Sequence, residues 1–209
     1  MVDPLPRQGG PSARIGSLLH GWIERQGSGQ GSLLSDDGAG PPASGPRSRE
    51  AARIARLKAA FLASPYGGLC PLAVERPFAL AVEGWLVRGR VDAVYQRDGR
   101  IEVVDFKTGR RPAADDRAAG FQLDLYALAA VDAWGHPPAT LRTTEWYLEA
   151  GEGTSRDLDA GTVEAVRGRL AGELAALAGG RFVATPGSYC GHCDFLSVCG
   201  PGRARLGEG

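Results

Sequence analysis

Apolar positions recur at two different periods along the chain, and the changes of period predict its elements. From Arg14 to Arg25, Ile15, Leu19, Trp22 and Ile23 fall at helical spacing, with His20 and Glu24 one turn apart beside the stripe. Ser12 is placed to cap that helix. A second helix is expected from Ser48 to Ala63. Ala51, Ile54, Leu57, Ala60 and Phe61 lie on one side, and the basic residues Arg49, Arg53, Arg56 and Lys58 lie largely on the other, the side expected to face solvent. Ser64 to Gly68 ends it. The period then shortens to two. Leu72 to Val82 reads as a strand broken early by Pro77, Glu83-Gly84 as a turn, and Leu86 to Lys107 as two further strands around Asp98-Gly99. Helical spacing returns over Ala118 to Trp134 and again over Gly161 to Ala178, where Val163, Val166, Leu170, Leu174 and Leu177 form a stripe. Between these two helices Thr143 to Leu148 reads as a strand, with Gly151-Glu152-Gly153 turning after it.

The hairpin register carries the first chemical expectation. With Asp98 and Gly99 as the loop, Arg97 pairs with Arg100, and counting outward sets Asp92 opposite Asp105 on one face. Opposed carboxylates with Cβ atoms roughly 5 Å apart repel unless a proton or cation lies between them. A divalent metal is the natural guest. Alternation puts Lys107 on the same face as Asp105. Val91, Val94, Ile101, Val103 and Val104 make these strands too apolar for a free ribbon, so a charged pair among them requires a reason.

Composition narrows the class. The chain has 209 residues, 43% hydrophobic and 23% charged, which reads as soluble and globular and is long enough for one domain with a substantial core. Lys plus Arg equals Asp plus Glu at 24 each, so attraction to a polyanion must be local. No apolar run approaches the ~20 residues of a membrane span, and Met1 to Gly10 lacks a signal core. The expectation is a cytoplasmic protein with no membrane partner. A single domain over 1–209 is expected, with a His-bearing helix at 14–26, a linker or loop at 27–47, a core at 48–185 and a tail at 186–209.

That tail holds Cys190, Cys193 and Cys199 as C-x2-C-x5-C, and Cys70 lies 120 residues upstream of Cys190. Three thiols in a loop-rich terminus point to metal before disulfide, and four thiolates suit either tetrahedral zinc or a four-iron, four-sulfur cluster.

Four motifs in order give the chain a resemblance. The segment Gly16 to Glu24 resembles a Gly-x-x-x-His motif, Gly89 to Asp92 a first acidic motif, Val104 to Gly109 a D-x-K motif, and Gln122 to Tyr126 a Q-x-x-x-Y motif. Together they resemble the RecB/AddB-type nucleases of the PD-(D/E)XK superfamily, and Val74 to Phe78 resembles the strand before the acidic hairpin in actinobacterial helicase-nucleases. The resemblance implies an α/β fold with α+β character and a restriction-endonuclease-like core: a mixed central sheet with an antiparallel acidic hairpin, flanked by helices, plus a C-terminal Cys-cluster tail. It also implies metal-dependent hydrolysis of DNA, exonuclease action more than endonuclease action, and a role in repair or recombination beside a separate helicase subunit. No phosphate-loop motif of a motor occurs in this sequence.

Residue by residue, the resemblance implies that His20, Asp92, Asp105 and the backbone carbonyl of Phe106 hold Mg²⁺ or Mn²⁺. Lys107 would stabilise developing charge, and Gln122 and Tyr126 would position strand or water. Arg88, Arg90, Arg110 and Arg111 would contact phosphate, and Glu75 would assist from a second shell or a second metal. Cys190, Cys193 and Cys199 match a triplet that holds a four-iron, four-sulfur cluster with one upstream cysteine. In the family that cysteine precedes the His motif, whereas Cys70 follows it. Two rival readings stand beside the nuclease: a non-catalytic DNA-binding or scaffold module, and a small zinc-stabilised interaction domain.

Overall fold

The computed structural model describes residues 11–27, 46–109, 111, 120–180 and 183–207. Five strands, β1 (Ala73–Val82), β2 (Trp85–Arg97), β3 (Arg100–Lys107), β4 (Leu141–Tyr147) and β5 (Glu152–Asp157), form one sheet in sequence order. All neighbours are antiparallel except β3 and β4, which run parallel. A parallel pair requires a crossover, and the chain makes it through helix α3 (Phe121–Leu128). The mixed sheet flanked by helices is the restriction-endonuclease-like architecture expected from the motifs.

Two apolar clusters form around the strands. Helices α1 (Pro11–Gly27) and α2 (Pro46–Ala63) bury Ile15, Leu19, Ile23, Leu57 and Phe61 with Ala93, Tyr95, Val104 and Phe106. Helices α3 and α4 (Ala160–Ala178) bury Leu123, Tyr126, Val163, Val166, Leu170 and Leu174 with Phe78, Leu80, Val91 and Val103. Strand β3 shows the alternation cleanly, with Val104 and Phe106 in the first cluster and Val103 in the second. Asp159 caps α4 by accepting from the Thr162 N–H at 2.6 Å.

Several local expectations are corrected. Pro77 does not break β1, because β1 is an edge strand and the missing N–H faces no further neighbour. The turn expected through Gly151-Glu152-Gly153 ends one residue in, and Glu152 starts β5, a strand exposed at every position and so without an apolar alternation. Leu177 is exposed rather than part of the α4 stripe, and Ala51 is exposed on α2. The single helix expected over Ala118 to Trp134 is α-helical only to Leu128 and continues as a π-helix over Ala129–Ala133. The basic side of α2 is engaged rather than merely solvated. Arg53 donates to Glu149 and to the Thr108 carbonyl, each at 2.7 Å, and Lys58 stands over the Trp22 ring. The linker expected over 27–47 lies mostly outside the described residues, and α2 begins within it at Pro46.

Two buried carboxylates inside the fold, Glu102 and Asp124, have several partners each. Glu102 accepts from Tyr66 at 2.9 Å and Thr144 at 2.6 Å on its Oε1, and the Arg97 guanidinium lies 3.7 Å from its other oxygen. Asp124, buried within the Gln122 to Tyr126 motif, binds Arg156 at 2.6 Å and Arg169 at 2.9 Å. A buried charge needs partners. These two tie α3 to β5 and α4, fixing the face that α3 turns toward the sheet.

Candidate active site

The site forms where β2 leaves β3. Asp98 and Gly99 have φ of 52° and 75°, the left-handed pair of a type I′ turn, and pairing runs from Arg97↔Arg100 to Ala93↔Val104. This is the register read from the sequence. Asp92 and Asp105 are the next residues outward, and there the ladder stops. The Asp92 Oδ2 instead accepts the Phe106 N–H at 2.9 Å.

Asp105 is almost wholly buried. Burial, followed by the charge of Asp92, pushes its carboxyl up to about 6, against the pull of Lys107. The Lys107 Nζ lies 2.7 Å from the buried Asp105 Oδ2, an ion pair that offsets part of that rise.

His20 reaches the same point from α1, whose Ile15, Leu19 and Ile23 are packed on the sheet. Its Nε2 lies 3.0 Å from the Phe106 carbonyl, which can only accept, so Nε2 carries a proton. Its Nδ1 lies 3.4 Å from Asp92 and 3.7 Å from Glu75. Burial works to lower the imidazole, but the bond and charge of Asp92, with the Phe106 carbonyl and Glu75, push it up to about 9.

Glu75 enters more centrally than the sequence suggested. Its φ of 47° is rare for a residue other than glycine, and the β1–β2 ladder skips the pair that Glu75 and Asp92 would make. The strand changes face there: Val74 packs with the α1/α2 cluster, whereas Phe78, four residues on, belongs to the α3/α4 cluster. Burial and the Asp92 charge raise the Glu75 carboxyl. The sequence held a signal for this, since the Glu83-Gly84 turn sets Val82 against Trp85 and, by counting, Glu75 against Asp92.

Among the described residues, His20, Glu75 and Asp92 form the group whose ligand atoms all lie within 4.8 Å of one another. Imidazole nitrogen, carboxylate oxygens and the nearby Phe106 carbonyl are donors that Mg²⁺ and Mn²⁺ accept. The buried Asp105 carboxylate, held by the Lys107 ammonium, adds a further acidic group beside them.

On the α3 side, Lys107 donates to Gln122 at 2.6 Å and Gln122 donates to the Tyr126 hydroxyl at 2.7 Å. The Phe78 ring meets Tyr126 edge-on at 6.2 Å. Phe78 also covers Gly89, where an added Cβ would stand 2.4 Å from the ring. The glycine of the first acidic motif is therefore required by a close approach. Gly16 of the His motif faces Thr108, just past Lys107, at a distance that leaves room for a Cβ.

One acidic neighbour was missed. Glu145 sits beside Asp105 in the parallel β3–β4 register, adds to its upward shift, and accepts from the Tyr147 hydroxyl at 3.1 Å. Of the expected phosphate contacts, Arg88 and Arg90 are exposed on β2, with Arg90 3.2 Å from Glu75. Arg111 is exposed and 3.9 Å from Glu152, and Arg110 lies outside the described residues.

The cysteines stand apart from this centre. Cys70 is exposed, Cys190 is buried, and Cys193 and Cys199 are half-buried, all as free thiols. The Gly187 and Gly202 N–H groups donate to the Cys190 and Cys199 sulfurs at 3.3 and 3.4 Å. Among the described residues no three cysteine sulfurs approach within 4.8 Å of one another.

The family comparison gives the class to which this fold belongs: the model of the PD-(D/E)XK nuclease superfamily matches residues 3–200, and this chain belongs to that superfamily. Among curated proteins it is similar to the Gene 69 protein of Mycobacterium phage L5, with 32% identity over 134 residues, 61% of this chain and 44% of that protein. The Gene 69 protein of Mycobacterium phage D29 is 44% identical over 63 residues, 30% of this chain and 22% of that protein. The matched region thus spans less than half the length of either relative. Among solved structures, the Eubacterium rectale protein named "Putative exonuclease" superposes with a TM-score of 0.51 at 8% identity, covering 86% of this chain and 71% of that one, a likeness of fold. No helix among the described residues is long and apolar enough to cross a membrane.

Proposed function

We propose that this chain is a metal-dependent deoxyribonuclease of the RecB/AddB type, hydrolysing phosphodiester bonds at the end of β2. The observation that carries the reading is the buried Asp105 carboxylate, paired with Lys107 and set beside the His20, Glu75 and Asp92 group. Gathering three acidic side chains at one point destabilises a scaffold that binds no cation. His20, Asp92, Asp105 and the Phe106 carbonyl would hold Mg²⁺ or Mn²⁺, with Glu75 as an additional carboxylate. Such an ion supplies Lewis acidity toward a phosphoryl oxygen and lowers the pKa of bound water. Lys107 holds its ammonium where negative charge develops on the attacked phosphate. Gln122 orients that ammonium, and Tyr126 anchors Gln122.

The test is cleavage of an end-labelled oligonucleotide with Mn²⁺, comparing the natural protein with Lys107→Ala. A loss of roughly 10²-fold or more in rate is expected. Equal rates would remove Lys107 from the chemistry.

For the tail, we propose that Cys190, Cys193 and Cys199, with Cys70, hold a four-iron, four-sulfur cluster. Two of the sulfurs already accept backbone N–H bonds, the kind that tunes such clusters. Protein purified without oxygen is expected to be brown and to contain iron. A colourless, iron-free preparation contradicts this.

A further inference from the structure

Strands β1 and β2 outrun the rest of the sheet. Their pairing continues to Val82↔Trp85, whereas β2 meets β3 only from Ala93 onward. Beyond the Glu75 and Asp92 position the two strands therefore form an arm. Its inner face is covered: Phe78, Leu80 and Val82, with Val91, lie in the α3/α4 cluster. Its outer face is bare, with Pro77, Ala79, Ala81, Leu86, Arg88 and Arg90 all exposed.

Cross-strand register sorts these six. Arg90 lies opposite Pro77, Arg88 opposite Ala79 and Leu86 opposite Ala81. One strand of the arm carries the long side chains and the other only small ones, which makes a shallow trough with a cationic wall. Arg88 has no ion pair or hydrogen bond among the described residues, and the Arg90 side chain is 64% exposed despite its contact with Glu75. Successive members of the row are about 6.6 Å apart, close to the separation of neighbouring phosphates in an extended strand. The row ends at Asp92.

The geometry points to the outer face of this arm as the track along which a single DNA strand reaches the site, with Arg88 and Arg90 on successive phosphates. This rests on the nuclease reading and adds the form of its substrate. A two-stranded arm about 5 Å between strands presents one row of cations, sufficient for one backbone and too narrow for two. The tip adds apolar surface on the same face, since Leu86, in line with Arg88 and Arg90, is 55% exposed.

Salt dependence separates a phosphate contact from a structural role. The full chain is titrated, in chelator and without divalent metal, into a fluorescein-labelled oligothymidylate of about 15 nucleotides from roughly 50 to 200 mM salt. Arg88→Gln is expected to weaken binding roughly 5-fold and to flatten the slope of log K against log salt by about 0.7, the value for one single-strand phosphate contact. Arg88→Lys, which keeps the charge, is expected to restore the slope. An unchanged slope in Arg88→Gln overturns the track, and so does an equal loss of slope with a blunt duplex. Failure of the underlying reading looks different: an Arg88-dependent slope in a protein that never cleaves with Mn²⁺ refutes the nuclease and leaves the track.

Discussion

Asp105→Asn is expected to abolish metal-dependent cleavage, by roughly 10³-fold or more, while making the metal-free protein more stable at neutral pH. The two effects have one cause. In the natural chain the Asp105 carboxyl is pushed up to about 6, first by burial and then by Asp92. The fold therefore favours its protonated form. That contribution to stability is fully present below the unfolded value of 3.8 and is lost as pH rises through about 6. Asparagine keeps the shape without the charge. In chelator, the difference in Tm between variant and natural protein is expected to be near zero at pH 4 and to reach roughly 5 °C by pH 7.5. Mn²⁺ should erase it by stabilising only the natural protein. A pH-independent difference would mean that Asp105 is not under electrostatic strain.

Gly89→Ala is expected to have the second-largest effect. The added Cβ would meet the Phe78 ring at 2.4 Å, and that ring is buried against Tyr126. Overpacking of this kind costs about 2 kcal/mol, a fall in Tm of roughly 4–8 °C. Displacing Phe78 also moves Tyr126, and through Gln122 it moves Lys107. A misplacement of about 1 Å in such a chain can reduce the rate about 10²-fold. The signature is non-additivity. Phe78→Leu should cost less stability in the Gly89→Ala background than alone, because the smaller side chain relieves the clash. Strict additivity would place the effect of Gly89→Ala elsewhere.

The legible parts of this protein are those that depend on neighbours in sequence. The Asp98-Gly99 turn set the β2–β3 register, and with it Asp92 beside Asp105. Helical spacing put Gln122 over Tyr126 and His20 beside a buried stripe. What the local pattern could not convey arises from packing between distant segments. Glu145 approaches Asp105 through a parallel pairing that no turn encodes. Strand β5 is exposed at every position, so its pairing with β4 left no apolar trace. The left-handed backbone at Glu75 interrupts alternation in a strand that otherwise keeps it. That interruption lets the site draw on both faces of the sheet, with His20 from the α1 side and Gln122 from the α3 side. Arg53, expected among solvated charges, instead holds the Thr108 carbonyl next to Lys107.

Metal add-back tests the central claim most directly. The natural protein is stripped with chelator, then given increasing Mn²⁺ while the initial rate of oligonucleotide cleavage is followed beside Asp105→Asn. A rate that is absent without metal, rises to saturation in the natural protein and stays at background in the variant is the predicted result. Cleavage that persists in chelator, or that the variant retains, would contradict the assignment of this hairpin as a metal-dependent nuclease centre.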